Sequence, residues 1–263
     1  RSDAPSSLRA AAGLGLLVGL GLLTKASTLF LVGVVPLALF LRWRRSGASV
    51  RHFVFELATF GAMALVLAGI WWLRNFGVYG FPDFLGLAAH DRVVVGQLRT
   101  ETLIAQVGLS EYLRRALTTT FNSFFGQLGW MALPLPEWAY AIIGLLLLLS
   151  AAGWVVTRLW RRDAATTASA QQQMAFVLAS TGLLAILQYL YYNTEFVQFQ
   201  GRYLFTGLIP FALFVVLGWD AWRTRLQGGD NRSLAGYVLI GLPFLLIPLD
   251  LWLLWRVIPG LAP

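Results

Sequence analysis

Val50–Leu73 reads VRHFVFELATFGAMALVLAGIWWL, and beyond Glu56 it contains no charged residue. A helix needs about 20 consecutive apolar residues to cross a bilayer, so this stretch is long enough to span one. Working outward, six further runs have the same character: Leu8–Leu23, Thr28–Leu41, Trp138–Val156, Met174–Tyr192, Tyr203–Trp222 and Leu234–Val257. The chain of 263 residues is 58% apolar and only 12% charged. A soluble domain carries about 25% charged residues. This composition excludes intrinsic disorder, and the absence of cysteine excludes a disulfide scaffold and thiolate chemistry. The expected fold is an all-α polytopic membrane protein with about seven spanning or partly spanning helices. It divides into a first membrane region, 1–73, an outer loop region, 74–137, and a second membrane region, 138–263.

The first two runs are short, and the polar tetrad Thr24-Lys25-Ala26-Ser27 separates them. They read as partial spans meeting at a break, or as one helix interrupted at Lys25. Broken helices occur in membranes where they line a protein-enclosed or watery cavity.

Net charge is +8, carried by 19 arginines and one lysine against 12 carboxylates. Ten of the 20 basic residues fall in three short loops, 42–51, 158–173 and 223–233. Alternating helices put those loops on one side, and the positive-inside rule makes that side cytoplasmic. The basic excess is therefore topological rather than a nucleic-acid stripe, and the bilayer is the expected partner. Region 74–137, the 193–202 loop and Lys25 then face outward. Trp71-Trp72, Trp130, Trp138–Tyr140 and Tyr189–Tyr192 fit an aromatic belt on that side. Glu111–Leu117 is amphipathic and suited to the membrane surface. Ala164–Gln173 is a low-complexity linker.

Soluble-enzyme signatures are missing. The glycines at 13, 15, 19 and 21 lack the spacing of a dinucleotide fingerprint, and Gly15/Gly19 form a small-xxx-small helix-packing pair. Two histidines, His52 and His90, cannot build a zinc site alone. Lys25, the one lysine, sits at the outer boundary, where it either snorkels or meets a lipid phosphate. Arg202, in Gln198-Phe199-Gln200-Gly201-Arg202-Tyr203, opens the sixth helix on the same side. A basic residue there calls for a local anion, either a phosphate or a carboxylate such as Glu195. Arg74 shares the side, with capping of the third helix as its alternative role. Asp83, Asp91, Glu101, Glu111 and Glu137 read as solvated loop charges by default. Glu56 and Asp220 have local partners in His52 and Arg223. Asp250 has no evident one, and an intramembrane acid is a functional candidate.

Several stretches together resemble the GT-C membrane glycosyltransferases, in particular the family 39-like relatives of protein O-mannosyltransferases and aminoarabinose transferases. They are GLGLLTKASTLFLVGVVPLAL (Gly19–Leu39), Trp71-Trp72-Leu73-Arg74-Asn75 with Tyr79-Gly80, Phe124–Trp130 with Pro134-Leu135-Pro136, and Gln200–Phe205 with Pro210. The order covers most of residues 13–215. The resemblance implies sugar transfer from a polyprenyl-phosphate donor to an unidentified acceptor at the periplasmic face of the bacterial cytoplasmic membrane. It assigns Lys25, Arg202 and Arg74 to the donor phosphate, with Asp250, Gln200 and Asp83 as further polar candidates. Members carry a catalytic Asp in an early periplasmic loop that no position here matches. The chain opens without Met on a polar lead, Arg1–Ala10. The expectation is a C-terminal portion, with helices and the acid upstream. Some branches use a divalent metal, but the residues resolve neither a metal set nor another cofactor. Two other classes remain open: a secondary transporter or lipid-sugar flippase, and a non-catalytic membrane scaffold.

Overall fold

A computed structural model describes residues 4–160, 170–226, 241, 244 and 246–256. Its long helices are α1 (Ala4–Thr24), α2 (Leu31–Ser46), α3 (Val50–Tyr79), α8 (Glu137–Trp160), α9 (Ala170–Glu195) and α10 (Leu208–Leu226). Between α3 and α8 lie α4 (Leu87–Val93), α5 (Thr100–Val107), α6 (Leu109–Gly126) and the single turn α7 (Leu128–Met131). A last helix, α11, covers Leu246–Arg256. Six helical segments of the described residues are long and apolar enough to cross a membrane. Large apolar side chains such as Leu17, Leu65, Val66, Ile70, Leu73 and Leu148 are left exposed along them. So large an apolar surface belongs against lipid. The chain is an all-α, multi-pass membrane protein.

Contacts divide it into two units, Arg1–Leu113 with Ala168–Gln198, and Arg114–Thr167 with Phe199–Pro263. In the first unit α1 and α3 pack along their length. Ser7 meets His52, Gly15 meets Phe60 and Gly19 meets Ala64, always 45 residues apart, so the two helices run in parallel. A Cβ on Gly15 would collide with the Phe60 carbonyl and lie 2.8 Å from the Met63 Cβ. One on Gly19 would stand 2.9 Å from the Ala64 carbonyl oxygen. The glycines thus serve the close approach their spacing suggests. Ala11, Val18 and Leu22 of α1, Val35 and Leu39 of α2, and Phe60 and Ala68 of α3 form the buried cluster of this trio. Gly33 of α2 faces Leu184 of α9.

The second unit repeats the device. Ser150 Oγ donates to the Val215 carbonyl at 2.8 Å, and Gly153 abuts Gly218, both 65 residues apart, so α8 and α10 are also parallel. Trp222 Nε1 closes the contact by donating to the Leu149 carbonyl at 2.7 Å. Nearer the start of α8, Leu135, Ala139, Tyr140 and Ile143 form a second buried cluster.

The sequence boundaries are revised in four places. α1 and α2 are longer than the apolar runs that announced them, and both are counted among the spanning helices. α3 continues past Leu73 to Tyr79, because Asn75 turns inward and donates Nδ2 to the Phe84 carbonyl at 2.8 Å. The sixth run begins as a 3-10 turn, Gly201–Gly207, before α10 starts. Of the seventh run only α11 and isolated positions belong to the described residues; the arginines at 161, 162 and 232 and most of the Ala164–Gln173 linker lie outside them.

Candidate functional site

The break at Lys25 is a built corner. Lys25 takes an extended conformation (φ −158°, ψ 128°) between the end of α1 and a 3-10 turn over Ala26–Thr28. Thr24 Oγ1 donates to the Gly21 carbonyl at 2.7 Å, and Thr28 Oγ1 to the Lys25 carbonyl at 2.8 Å. The same two carbonyls also accept the backbone N–H of Lys25 at 2.9 Å and of Thr28 at 3.1 Å, so the hydroxyls reinforce the turn. A Cβ on Gly21 would stand 3.3 Å from Thr28 Oγ1, so the chain doubles back closely here. The break separates two spans rather than interrupting one.

The 45-residue offset between α1 and α3 sets Lys25 level with residue 70. Arg74 then lies four residues farther along, roughly 6 Å at 1.5 Å per residue. The two cations therefore share one end of this unit. Arg74 is five residues short of the end of α3, which rules out the capping role. Its guanidinium stands 4.8 Å from the Trp71 ring, and Nη1 donates to Asn75 Oδ1 at 3.1 Å.

At the same end the folded segment between α3 and α8 begins. Tyr79–Asp83 is a turn, with Gly80 at φ +88°. Asp83 accepts from the backbone N–H of Ala88 at 3.2 Å and of Ala89 at 2.7 Å, at the start of α4. Desolvation raises its pKa, but N–H donors from Ala89, Ala88 and Leu87, with Arg92 nearby, outweigh it and hold the carboxyl below the ordinary aspartate range. Asp83 is thus a helix-capping carboxylate, with its oxygens already engaged.

Asn193, near the end of α9, is the node that ties this segment down. Its backbone carbonyl accepts from Thr100 Oγ1 at 2.8 Å and Tyr112 Oη at 3.1 Å. Its Oδ1 accepts from the Gln198 N–H at 2.9 Å. Arg99 donates to Glu195 at 3.4 Å, bonds Asp91, and lies 4.4 Å from the Phe196 ring. Glu195, an alternative anion for Arg202, therefore has Arg99 as a partner.

In the second unit the Gln200-Gly201-Arg202-Tyr203 motif gains a physical reason. A Cβ on Gly201 would run into the Phe124 N and the Thr120 carbonyl, so only glycine fits against α6. Ser123 Oγ accepts from the Gly201 N–H at 2.7 Å and donates to Thr119 and, at 3.2 Å, Phe199 carbonyls. Arg202 follows at once and is exposed, 5.7 Å from the Tyr203 ring. Gln200 is half-buried at the entry to the 3-10 turn. Asp250 is exposed on α11. Lys25 and Arg74 thus share one end of one unit, whereas Arg202 and Gln200 belong to the other unit.

The helix acids found the partners their spacing named. Asp220 pairs with Arg223 at 2.6 Å and Glu56 with His52 at 2.9 Å. Sequence spacing missed that Glu56, only 1% exposed, also takes Arg42, and that Ser7 reaches His52 at 2.9 Å. Ser7, His52 and Glu56 resemble a hydrolase triad in composition only. Both contacts fall on His52 Nε2, whereas a proton relay needs the two ring nitrogens on different partners. Among the described residues no group of three His, Cys, Asp or Glu could hold a metal ion. No family model, curated protein or solved structure matches the chain.

Proposed function

We propose that the chain is part of a polyprenyl-phosphate-dependent glycosyltransferase of the GT-C type. It would transfer a sugar from a lipid-linked donor to an acceptor at the periplasmic face of the bacterial cytoplasmic membrane. The observation that carries this reading is the corner at Lys25: a cation on an extended residue between two spans, at the end of the unit that also bears Arg74. A phosphate leaving group gains negative charge as the sugar departs, and preorganised cations at the membrane boundary stabilise that charge. Lys25 and Arg74 are proposed for this role, and Arg202, in the other unit, is carried over to donor-phosphate binding from the resemblance alone. Gly201 and Ser123 fix the backbone from which Arg202 projects. No residue of this chain is assigned as the general base, and Asp250, Gln200 and Asp83 stay as polar candidates, Asp83 with each oxygen also accepting a backbone N–H of α4. The folded segment around Asn193 suits a cover over the outer end of its unit.

A secondary transporter or flippase is the competing reading, favoured by the recurrence of a parallel, glycine-packed helix pair in each unit. Proteoliposomes of the full-length protein, given a panel of polyprenyl-phosphate sugars and a panel of hydroxyl-bearing acceptors to receive the sugar, separate the two. The transferase reading expects release of free polyprenyl phosphate, at least tenfold slower in Lys25→Ala and in Arg202→Ala. Movement of the intact lipid across the bilayer without release would favour transport. Unchanged turnover in both variants would contradict the assignment of these cations.

A further inference from the structure

The turn joining α2 to α3 carries Arg42, Arg44, Arg45 and Arg51 within ten residues. Glu56 is the one carboxylate in α1, α2 and α3, and Arg42 and His52 occupy it. That leaves Arg44, Arg45 and Arg51 exposed and without a carboxylate partner among the described residues. Topological bias accounts for their sign but not for two other features.

The turn is rigid. Gly47 takes the left-handed conformation at φ +64°, and Ser49 Oγ caps α3 by accepting from the His52 N–H at 3.3 Å. Trp43 stacks on Phe53 with centroids 5.0 Å apart and donates Nε1 to the Ala48 carbonyl at 2.8 Å. Three arginines are thereby carried on helix ends fixed by a three-residue link.

An apolar surface adjoins them. Phe40 of α2 and Val50, Val54 and Phe55 of α3 are all exposed within a turn or two of the guanidiniums, and Arg51 lies 5.6 Å from the Phe55 ring. Guanidiniums bordering a lipid-facing apolar surface complement a molecule with both an anionic phosphodiester and acyl chains. A free phosphate would use only the first. We propose that the α2–α3 turn binds an anionic phospholipid, its headgroup on Arg44, Arg45 and Arg51 and an acyl chain along Val54 and Phe55. This site lies at the opposite end of the α1/α3 pair from Lys25 and does not depend on the transferase reading.

The test uses the whole protein in nanodiscs of phosphatidylcholine with and without phosphatidylglycerol, read by native mass spectrometry and thermal unfolding. Phosphatidylglycerol should be retained and raise Tm. The triple change Arg44→Gln/Arg45→Gln/Arg51→Gln should weaken that retention roughly a hundredfold, at about fivefold per guanidinium. The corresponding lysine triple should keep most of it. If the glutamine triple fails to fold, the double Arg44→Gln/Arg45→Gln carries the same expectation at roughly 30-fold. Three results would overturn the proposal: retention unchanged in the glutamine variants, an equal loss from Arg161→Gln/Arg162→Gln/Arg225→Gln, or displacement of the lipid by soluble glycerol 3-phosphate.

Discussion

The α1/α3 pair and the α8/α10 pair solve one problem with different materials. Each brings two parallel helices into contact through glycines, where a methyl group would strike backbone. At the α1/α3 contact the end is closed by charge: buried Glu56 gathers Arg42 and His52, and Ser7 reaches the same imidazole. At the α8/α10 contact the closure is neutral, with Ser150 and Trp222 each donating to a carbonyl of the facing helix. Lipid offers helices little hydrophobic drive to associate, so close packing and polar contacts must supply it. The difference teaches where each pair is vulnerable. The first depends on keeping a buried carboxylate matched, the second on keeping backbones close.

Breaking the closest approach should have the largest effect. Gly153→Leu would drive a side chain into the Gly218 carbonyl and the Trp222 indole, so we expect a loss above about 3 kcal/mol or failure to fold. Thermal unfolding and gel filtration in detergent would measure it. Gly15→Ala should cost about 1–3 kcal/mol by the same mechanism. Gly13→Ala, where nothing lies within 4 Å, should leave Tm unchanged or slightly raised, since alanine is the better helix former.

The two closures can then be compared directly. Glu56→Gln removes the charge that pairs with Arg42 and should cost about 2 kcal/mol, less than a fully buried pair because Arg42 is half-exposed. Trp222→Phe deletes one hydrogen bond to the Leu149 carbonyl and should cost about 1 kcal/mol. Equal losses would erase the distinction between a charged and a neutral closure.

The smallest effect belongs to Asp83. Its depressed pKa means that its cap stabilises α4 fully above the ordinary aspartate range and is lost as pH falls through its lowered value. The protection of the Ala88 and Ala89 amides, taken as the intrinsic exchange rate at each pH over the observed rate, should fall on acidification. In Asp83→Asn that pH dependence should disappear.

Much of this architecture was legible in the sequence because membrane spans announce themselves by apolar length. The break at Lys25, the Gly15/Gly19 contact and the Asp220–Arg223 pair followed from local composition and helical spacing. Contacts between distant residues were not legible. Asn193 meets Thr100 across 93 positions, and Ser123 meets Gly201 across 78, each through a backbone group of one partner. Any residue supplies such a group, so no spacing marks it. The end of the third span misled for a related reason: the apolar run stops at Leu73 before Arg74, yet the helix continues to Tyr79 with Asn75 as a buried donor within it. The isolated glycine of Gln200-Gly201-Arg202-Tyr203 was the one available sign of a close backbone approach.

The most direct test of the central claim is the affinity of the purified protein for undecaprenyl phosphate in nanodiscs, with Lys25→Ala and Arg202→Ala beside the unaltered chain. The account predicts saturable binding, weakened about tenfold or more in each variant, on the scale of a lost charge-assisted hydrogen bond. Equal affinity in all three proteins, or no saturable binding at all, would contradict it.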